Sequence, residues 1–194
     1  MGANVVVSGV PGVGASKVCE QTRRQLGDEY TLLNVGDIML EEALEHGLAS
    51  SREELSRLRL RDQRALQRRA GEHIARKSDS GPLLINTHFV VETPLGYIPG
   101  MTEAVLTDID PAALVVIDAP DDEIETRRTK SDRSYVQFSP SIDFHRQLQN
   151  VAALTYSYQS HAPVHHLLNE ESAETTSDRL TKIVGIVSNL AHNS

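Results

Sequence analysis

The 194-residue chain is 39% hydrophobic, carries 27 acidic against 19 basic residues, and has one cysteine. This length and apolar content suit a single domain over residues 1–194. The lone cysteine excludes an intramolecular disulfide, and no stretch has the length of a signal or membrane segment, so we expect a cytoplasmic protein without a membrane partner. The net charge of −8 argues against nucleic-acid binding, and any anionic ligand must be held by locally focused charge.

The chain opens with a strand, loop and helix pattern that predicts phosphate binding. Residues 4–8 are apolar and β-branched, residues 9–16 read GVPGVGAS, and a helical pattern continues to a stop at Gly27. The spacing is that of the Walker A loop, where backbone N–H groups and the helix N-terminus face phosphate oxygens. The predicted residues for the phosphates of ATP are Gly9, Val10, Pro11, Gly12, Val13, Gly14, Ala15, Ser16 and Lys17, with Ser16 also as Mg²⁺ ligand.

The loop departs from the Walker A pattern at one position. Ala15 stands where a lysine would meet the β- and γ-phosphates. Lys17 does not obviously replace it, because two residues along a helix rotate a side chain by roughly 200°. A plain glycine-rich turn is the alternative interpretation, but the preceding strand, the glycine spacing and Ser16 favour a phosphate loop.

The next segment alternates short elements. Residues 31–35 predict a strand, residues 36–45 a helix that stops at Gly47, and residues 50–54 a capping box that begins another helix. Residues 60–77 predict a long amphipathic helix with Leu66, Ala70 and Ile74 on its apolar face. Asp37 either caps its helix or hydrogen-bonds a substrate.

The second half of the chain continues the alternation. Residues 82–88 and 113–118 predict buried strands, residues 94–100 a loop fixed by prolines and glycines, and residues 164–168 a last strand. Helices are predicted at 121–128, 142–158 and 173–190, and a mobile polar loop at 129–139. The pattern predicts an α/β fold with a parallel sheet of about five strands and helices on both faces.

Polar residues in this half suggest phosphoryl transfer. Arg127, Arg128 and Arg133 flank a lid-like stretch, and such a reaction needs positive charge and exclusion of water at the transferred group. A solvated charge run is the alternative. His88 either lines an acceptor site or hydrogen-bonds locally at its strand end. The spacing of His161, His165 and His166 permits a metal site, although no known ligand arrangement accompanies them.

Several motifs together resemble the archaeal-type adenylate kinases, a family of P-loop nucleoside monophosphate kinases. They are GVPGVG at 9–14, NVGDIM at 34–39, NTH at 86–88 and TPLGYIPG at 93–100. The resemblance implies a nucleotide-kinase fold with a short lid at about 127–140, Mg²⁺-dependent transfer from ATP to AMP, and a homotrimer. It implies an acceptor segment at about 36–77. The implied catalytic residues are Arg128 and Arg133, and the substrate-binding residues are Asp37, Met39, Thr87, His88 and Tyr97.

The chain also departs from the pattern of that family. Relatives commonly carry Lys at the position of Ala15, Asp at that of Asn86, and Lys or Arg at that of Glu92. Relatives usually have a second lid arginine shortly after the position of Arg133, where this chain has Ser134. Two further hypotheses therefore stay open: a catalytically weakened nucleotide-binding homologue with a regulatory or structural role, and a kinase for another nucleoside monophosphate.

Overall fold

The computed structural model describes residues 3–130, 141–170 and 172–192. Its strands are β1 Asn4–Ser8, β2 Thr31–Asn34, β3 Leu83–Thr87, β4 Val90–Thr93, β5 Gly96–Pro99, β6 Pro111–Asp118 and β7 Val164–Leu168. Its helices are α1 Ala15–Leu26, α2 Val35–Glu45, α3 Arg52–Ser56, α4 Leu60–Ser78, α5 Glu103–Ile109, α6 Asp121–Thr129, α7 Ile142–Ser160 and α8 Ala173–His192. A 3₁₀ turn, Gly27–Glu29, follows α1.

Five parallel strands form the central sheet, in the order β2-β3-β1-β6-β7. The predicted parallel sheet of about five strands is therefore confirmed. β1 is the central strand and is buried along its whole length, so its carboxyl end lies in the middle of one edge of the sheet. The chain leaves it there into residues 9–14 and α1, which places the predicted phosphate loop at the carboxyl edge of the sheet, where ligands of such folds bind.

Helices cover both faces of the sheet. Val5 and Val7 face α1 and α8, in a cluster with Val18 and Val184. Val6 faces the opposite side and packs in a second cluster with residues of α4, α5 and α7. The alternation follows from the two-residue period of a strand, which sends successive side chains to opposite faces. A third, smaller cluster joins α2 to α4.

One expectation for local structure was wrong, and one helix was not predicted. Residues 94–100 do not form a simple loop: β4 and β5 pair as an antiparallel hairpin with Glu92 opposite Tyr97. Helix α5, which Thr102 caps through its side chain, was not predicted. Residues 129–139 were expected to form a mobile loop. Residues 131–139 lie outside the described residues, and Thr129 is the last residue of α6. None of the described helices is long and apolar enough to cross a membrane.

Candidate active site

A cleft of about 1260 Å³ opens at the carboxyl edge of the sheet. One wall is the loop at residues 9–16 together with Arg127 and Arg128 of α6. The opposite wall comes from α2, α3, α4 and the β4–β5 hairpin, and the ends of β1 and β3 form the floor. The residues predicted for the donor phosphates, except Lys17, and most of those predicted for the acceptor thus face the same space.

The loop leaves several backbone N–H groups available to a ligand. Gly12 and Gly14 have φ angles of 103° and 87°, in the region that only glycine enters at low cost. Gly14 is the N-cap of α1, and no side chain caps that helix. The first N–H groups of a helix have no acceptor within it, so the amides of Ala15, Ser16 and Lys17 remain free for an anion.

The side chains at positions 15 and 17 bring no positive charge into the cleft. Ala15 lines it with a methyl group. Lys17 is exposed on α1 and is not among the lining residues, as the rotation along the helix predicts. Among the described lining residues the arginines are Arg52, Arg127 and Arg128.

The arginines of α6 donate to backbone carbonyl groups of the loop. Arg127 Nη1 donates to Val13 O at 3.0 Å, and its Nη2 pairs with Glu123. Arg128 Nε donates to Pro11 O at 2.7 Å. Both side chains are therefore fixed in part by the loop backbone. Arg133, the other predicted catalytic arginine, lies outside the described residues.

Ser16 and Asn86 provide the oxygen chemistry that suits Mg²⁺. Asn86 Nδ2 donates to Ser16 Oγ at 3.0 Å, which uses one of the two lone pairs of that hydroxyl oxygen. The second lone pair remains for a cation. Mg²⁺ commonly keeps several waters and binds proteins through one or two groups plus substrate phosphates, so the site fits a nucleotide-borne Mg²⁺.

Four of the five predicted substrate residues line the cleft, namely Met39, Thr87, His88 and Tyr97. His88 Nδ1 lies 2.9 Å from Gly9 O, which ties the end of β3 to the loop. Gly100, in the same motif as Tyr97, must be glycine, because a Cβ there would lie 1.7 Å from His88 O. The backbone after β5 thus passes directly over the end of β3.

The fifth predicted substrate residue, Asp37, is not among the residues that line the cleft. Asn34 is the N-cap of α2, and its Oδ1 accepts from Gly36 N and Asp37 N, so Asp37 is not the cap. The Asp37 carboxylate pairs with Arg52, and it is Arg52 that lines the cleft. The ion pair orients a guanidinium that sequence patterns did not identify.

The wall opposite the loop, called the acceptor wall below because it carries the residues predicted for the acceptor, also contains an aromatic group. Tyr97 contacts Phe144 and His145, with ring centroids 5.8 Å and 4.8 Å away. His145 is 3% exposed, and its Nε2 lies 3.4 Å from Val90 O. Burial lowers the pKa of the His145 imidazole to about 4, with the hydrogen bond to Val90 opposing this shift. At neutral pH the ring is uncharged.

Sequence patterns missed several residues that shape the site: Arg52, Gln63, Gln67, His145 and Asn169. Gln67 Nε2 donates to Pro99 O at 3.0 Å, which fastens the hairpin to α4. The available signal was polarity on an apolar face, since Gln63 and Gln67 share a helix face with Leu66 and Ala70. Asn169 gave no local signal.

The histidine spacing near the C-terminus does not create a metal centre in the part of the chain described. Among the described residues, the group of side chains that could hold a metal ion is Glu42, Glu45 and His46, which lies at the end of α2 and outside the cleft. His161 instead ends α7 with a positive φ of 60°. The metal interpretation of His161, His165 and His166 has no support from their placement.

Comparisons with known proteins place the chain in context. A family model described as an AAA domain matches residues 8–138. Adenylate kinase of Pyrococcus furiosus is 34% identical over 190 residues, 95% of this chain and 96% of that protein. Those of Thermococcus sibiricus and Methanopyrus kandleri are each 35% identical and cover 95% of this chain, and 96% and 95% of the respective relatives.

Solved structures show the same architecture at low sequence identity. Shikimate kinase of Acinetobacter baumannii in complex with shikimate superposes with a TM-score of 0.60 at 12% identity, over 96% of this chain and 94% of that one. A gluconokinase of Sinorhizobium meliloti gives 0.59 at 14%, over 99% and 97%. At such identities the likeness establishes the P-loop kinase fold alone. The sequence identity over nearly full length establishes more: the chain belongs to the adenylate kinase family.

Proposed function

We propose that this chain catalyses the reversible, Mg²⁺-dependent transfer of a phosphoryl group from ATP to AMP, giving two ADP. The observation that carries the proposal is the cleft itself. A phosphate loop with free amides faces, across one space, the motif residues that resemble the acceptor site of adenylate kinases. Phosphoryl transfer requires little covalent chemistry from the protein, so the arrangement of two substrates in line is its main contribution.

The donor side works through the loop. The amides from Val13 to Ser16 were expected to hold the donor phosphates, but the N–H of Val13 donates to Val10 O at 3.2 Å. The amides of Gly14, Ala15 and Ser16 therefore hold the donor phosphates, and the Ser16 hydroxyl would hold Mg²⁺. Bound Mg²⁺ neutralises charge on the β- and γ-phosphates. Arg128 and Arg133 stabilise the negative charge of the transferred group as the lid at about 127–140 closes and excludes water.

The acceptor side lies in the segment at about 36–77 and the hairpin. Arg52, held by Asp37, is a cation on that wall, suited to the phosphate of AMP. Met39, Thr87, His88 and Tyr97 surround the remaining space, where Tyr97 presents an aromatic face to a nucleobase. All of these elements belong to one nucleoside monophosphate kinase domain over residues 1–194.

Three residues favour a second candidate, a weakened nucleotide-binding homologue with a regulatory or structural role. Ala15 removes a cation from the donor phosphates, Asn86 removes a carboxylate from the metal environment, and Glu92 adds a negative charge to the cleft. Losing one preorganised charge typically costs on the order of 10²- to 10³-fold in rate. A third candidate, a kinase for another nucleoside monophosphate, shares every feature of the donor side.

A coupled assay of ADP formation separates the three candidates. Purified protein is supplied with Mg²⁺-ATP and, in turn, AMP, CMP, UMP and GMP. The proposal expects turnover with AMP to exceed that with each of the others. Saturable ATP binding without turnover would favour the weakened homologue, and preference for another acceptor would favour the third candidate.

We further propose a cytoplasmic homotrimer, which the family resemblance suggests. Exposed apolar side chains on α7, Val151, Leu154 and Tyr158, lie within two helical turns and offer a surface for self-association. Light scattering on a sizing column tests the assembly. A mass near 21.4 kDa across concentrations would contradict it.

A further inference from the structure

The carbonyl groups of the phosphate loop make contacts to which no pattern or family match assigns a role. Each backbone carbonyl from residue 9 to residue 14 lies within hydrogen-bond distance of a donor. The pairs are Gly9 O with His88 Nδ1 at 2.9 Å, Val10 O with Val13 N at 3.2 Å, Pro11 O with Arg128 Nε at 2.7 Å, Gly12 O with Arg127 Nη1 at 3.4 Å, Val13 O with Asn169 Nδ2 at 2.8 Å, and Gly14 O with Val18 N at 3.1 Å.

These contacts determine where the loop amides point. A trans peptide directs its N–H opposite to its C=O, so a donor that holds a carbonyl group also fixes the direction of the next residue's N–H. The carbonyl of Val13 sets the amide of Gly14 in this way. Among the described residues, no acceptor takes the N–H of Gly12 or of Gly14. The donors to Pro11 O and Val13 O therefore fix the direction of the two N–H groups that a phosphate could meet.

Asn169 makes the most buried of these contacts. It follows β7 directly, is 2% exposed, and its own N–H donates to Asp118 O at 2.8 Å. A carbonyl oxygen only accepts, so the side-chain atom facing Val13 O must be the amide nitrogen. The other end of the amide, Oδ1, accepts from Thr176 Oγ1 of α8 at 3.1 Å. Asn169 thus links the loop to two elements of the core.

Arg127 supplies a second donor to the same carbonyl. Its Nη1 lies 3.0 Å from Val13 O, and a Cβ on Gly14 would lie 2.8 Å from Asn169 Nδ2 and 3.5 Å from Arg127 Nη1. The two donors thus pack against a peptide whose glycine, Gly14, has a positive φ of 87°. With Ala15 contributing no charge, the amides carry a larger share of phosphate binding.

We propose that Asn169, with Arg127 as a second donor, is a positioning residue of the donor site. The pair holds the Val13–Gly14 peptide so that the loop amides remain aimed at the phosphates of a nucleoside triphosphate. The inference rests on the proposed function only in taking that ligand to be ATP. Asn169 touches no substrate and acts through the loop backbone.

The test compares two buried asparagines of the same sheet. Asn4, 6% exposed, donates to Ile109 O at 2.7 Å and accepts from Leu83 N at 3.1 Å, at the edge of the sheet opposite the cleft. Asn4→Leu and Asn169→Leu each remove one buried donor and one buried acceptor without changing the number of side-chain heavy atoms, and both make the same increase in side-chain volume. Calorimetric titrations with Mg²⁺-ATP and with AMP, and thermal unfolding, are measured for both variants and the wild type.

We expect both variants to unfold at lower temperature, and Asn169→Leu alone to bind ATP about tenfold more weakly, since it loses a buried hydrogen bond to the loop. The AMP affinity of Asn169→Leu stays within about twofold of wild type, because the acceptor wall is untouched. A general loosening of the fold would instead weaken both ligands equally, and equal weakening, or an unchanged ATP affinity, overturns the proposal.

Arg127→Gln provides a variant at a half-exposed position if Asn169→Leu does not fold. It shortens the side chain, so we expect ATP affinity to fall about threefold to tenfold. Arg127→Lys, which can still donate to a carbonyl, should recover part of that loss. Wild-type ATP affinity in Arg127→Gln would contradict the proposal.

These binding measurements also separate this inference from the proposed function. If ATP binding depends on Asn169 but the protein transfers no phosphoryl group, only the proposed function is overturned. Transfer to AMP with an Asn169→Leu variant that binds ATP normally would remove only the inference. A wild type that binds no ATP overturns both.

Discussion

The cleft has a donor wall, formed by the loop at residues 9–16, and an acceptor wall opposite it, and the two walls position the groups that would contact a ligand in different ways. On the donor wall the ligand groups are backbone amides, and contacts from α1, α6 and the ends of β3 and β7 fix the loop carbonyls on the other side. On the acceptor wall the ligand groups are side chains. Arg52 is held by an ion pair with the exposed Asp37, and Tyr97 is held by ring contacts.

The difference explains which substitutions each wall tolerates. A site made of backbone amides needs no particular side chain at position 15 of the loop, so the donor wall can present its amides with Ala15 in place of a lysine. A site made of side chains changes with each of them. Exposed ion pairs such as Arg52–Asp37 typically stabilise by only about 0–1 kcal/mol, so the acceptor wall is also the more adjustable of the two.

The largest expected effect comes from breaking the donor wall with Gly14→Val. A β-branched residue at a φ of 87° is strained, and its Cβ would lie 2.8 Å from Asn169 Nδ2. We expect ATP affinity to fall by ~10²-fold or more, because several N–H groups of the loop would no longer point at the phosphates. Gly27→Val is the matched control, since Gly27 has a φ of 68° and open space around it, so it isolates strain from the site. Equal ATP binding by wild type and Gly14→Val would show that the loop assignment is wrong.

The next effect concerns charge over the donor wall. Replacing Arg128 or Arg133 with Ala should reduce kcat by ~10²-fold, with ATP affinity and melting temperature nearly unchanged, if they stabilise charge that develops during transfer. Arg179→Ala on the exposed part of α8 is the control. Small and equal effects from all three would reduce the cluster to surface charge. A loss of ATP affinity in Arg128→Ala instead of kcat would mean that its bond to Pro11 O is its main role.

A pH effect of intermediate size belongs to the acceptor wall. The folded pKa of His145, about 4, lies below the ordinary value of 6.5, so the unfolded chain binds the proton first as pH falls. Stability is therefore complete above pH 6.5 and lost as pH falls from there toward 4. From pH 7 to pH 5, wild type should lose about 2 kcal/mol more free energy of unfolding than His145→Gln, measured by urea titration. Parallel losses in the two proteins would exclude His145 as the source.

The smallest predicted effect sharpens the donor wall. Ala15→Lys adds a point charge at the β- and γ-phosphates on a loop already shaped to present it, so kcat should rise about tenfold and KM for ATP should change less. Steady-state kinetics with both substrates measures the split. An unchanged or lower kcat would mean that another cation already serves the transferred group, or that the site does not catalyse.

The central sheet was predictable because its strands are nearly continuous apolar runs. Residues 83–87 and 111–118 are buried on both faces, which makes their sequences distinctive. The β4–β5 hairpin was not predictable in this way. Its strands have four residues each, and Pro94 and Gly96 give a strong turn signal, which hid the short pairing around it.

The candidate site, like the fold, was predictable only in part. The loop could be identified because backbone ligand groups depend on local glycine spacing alone. The contacts of Arg127 and Asn169 with the loop could not be predicted, since these residues lie 114 and 156 positions from Val13, whose carbonyl they share. Contacts at that separation exist only after the sheet order is fixed, and no local periodicity marks them. Asn86 and Ser16, 70 residues apart, meet for the same reason.

The most direct test of a donor wall built from backbone is a calorimetric titration of Mg²⁺-ATP into wild type and Ala15→Lys. We predict one site per chain in both proteins, with dissociation constants within about fivefold of each other, because the amides and the helix N-terminus are common to both. Binding that appears only in Ala15→Lys would contradict the account, since it would show that the loop needs the lysine side chain to hold the nucleotide.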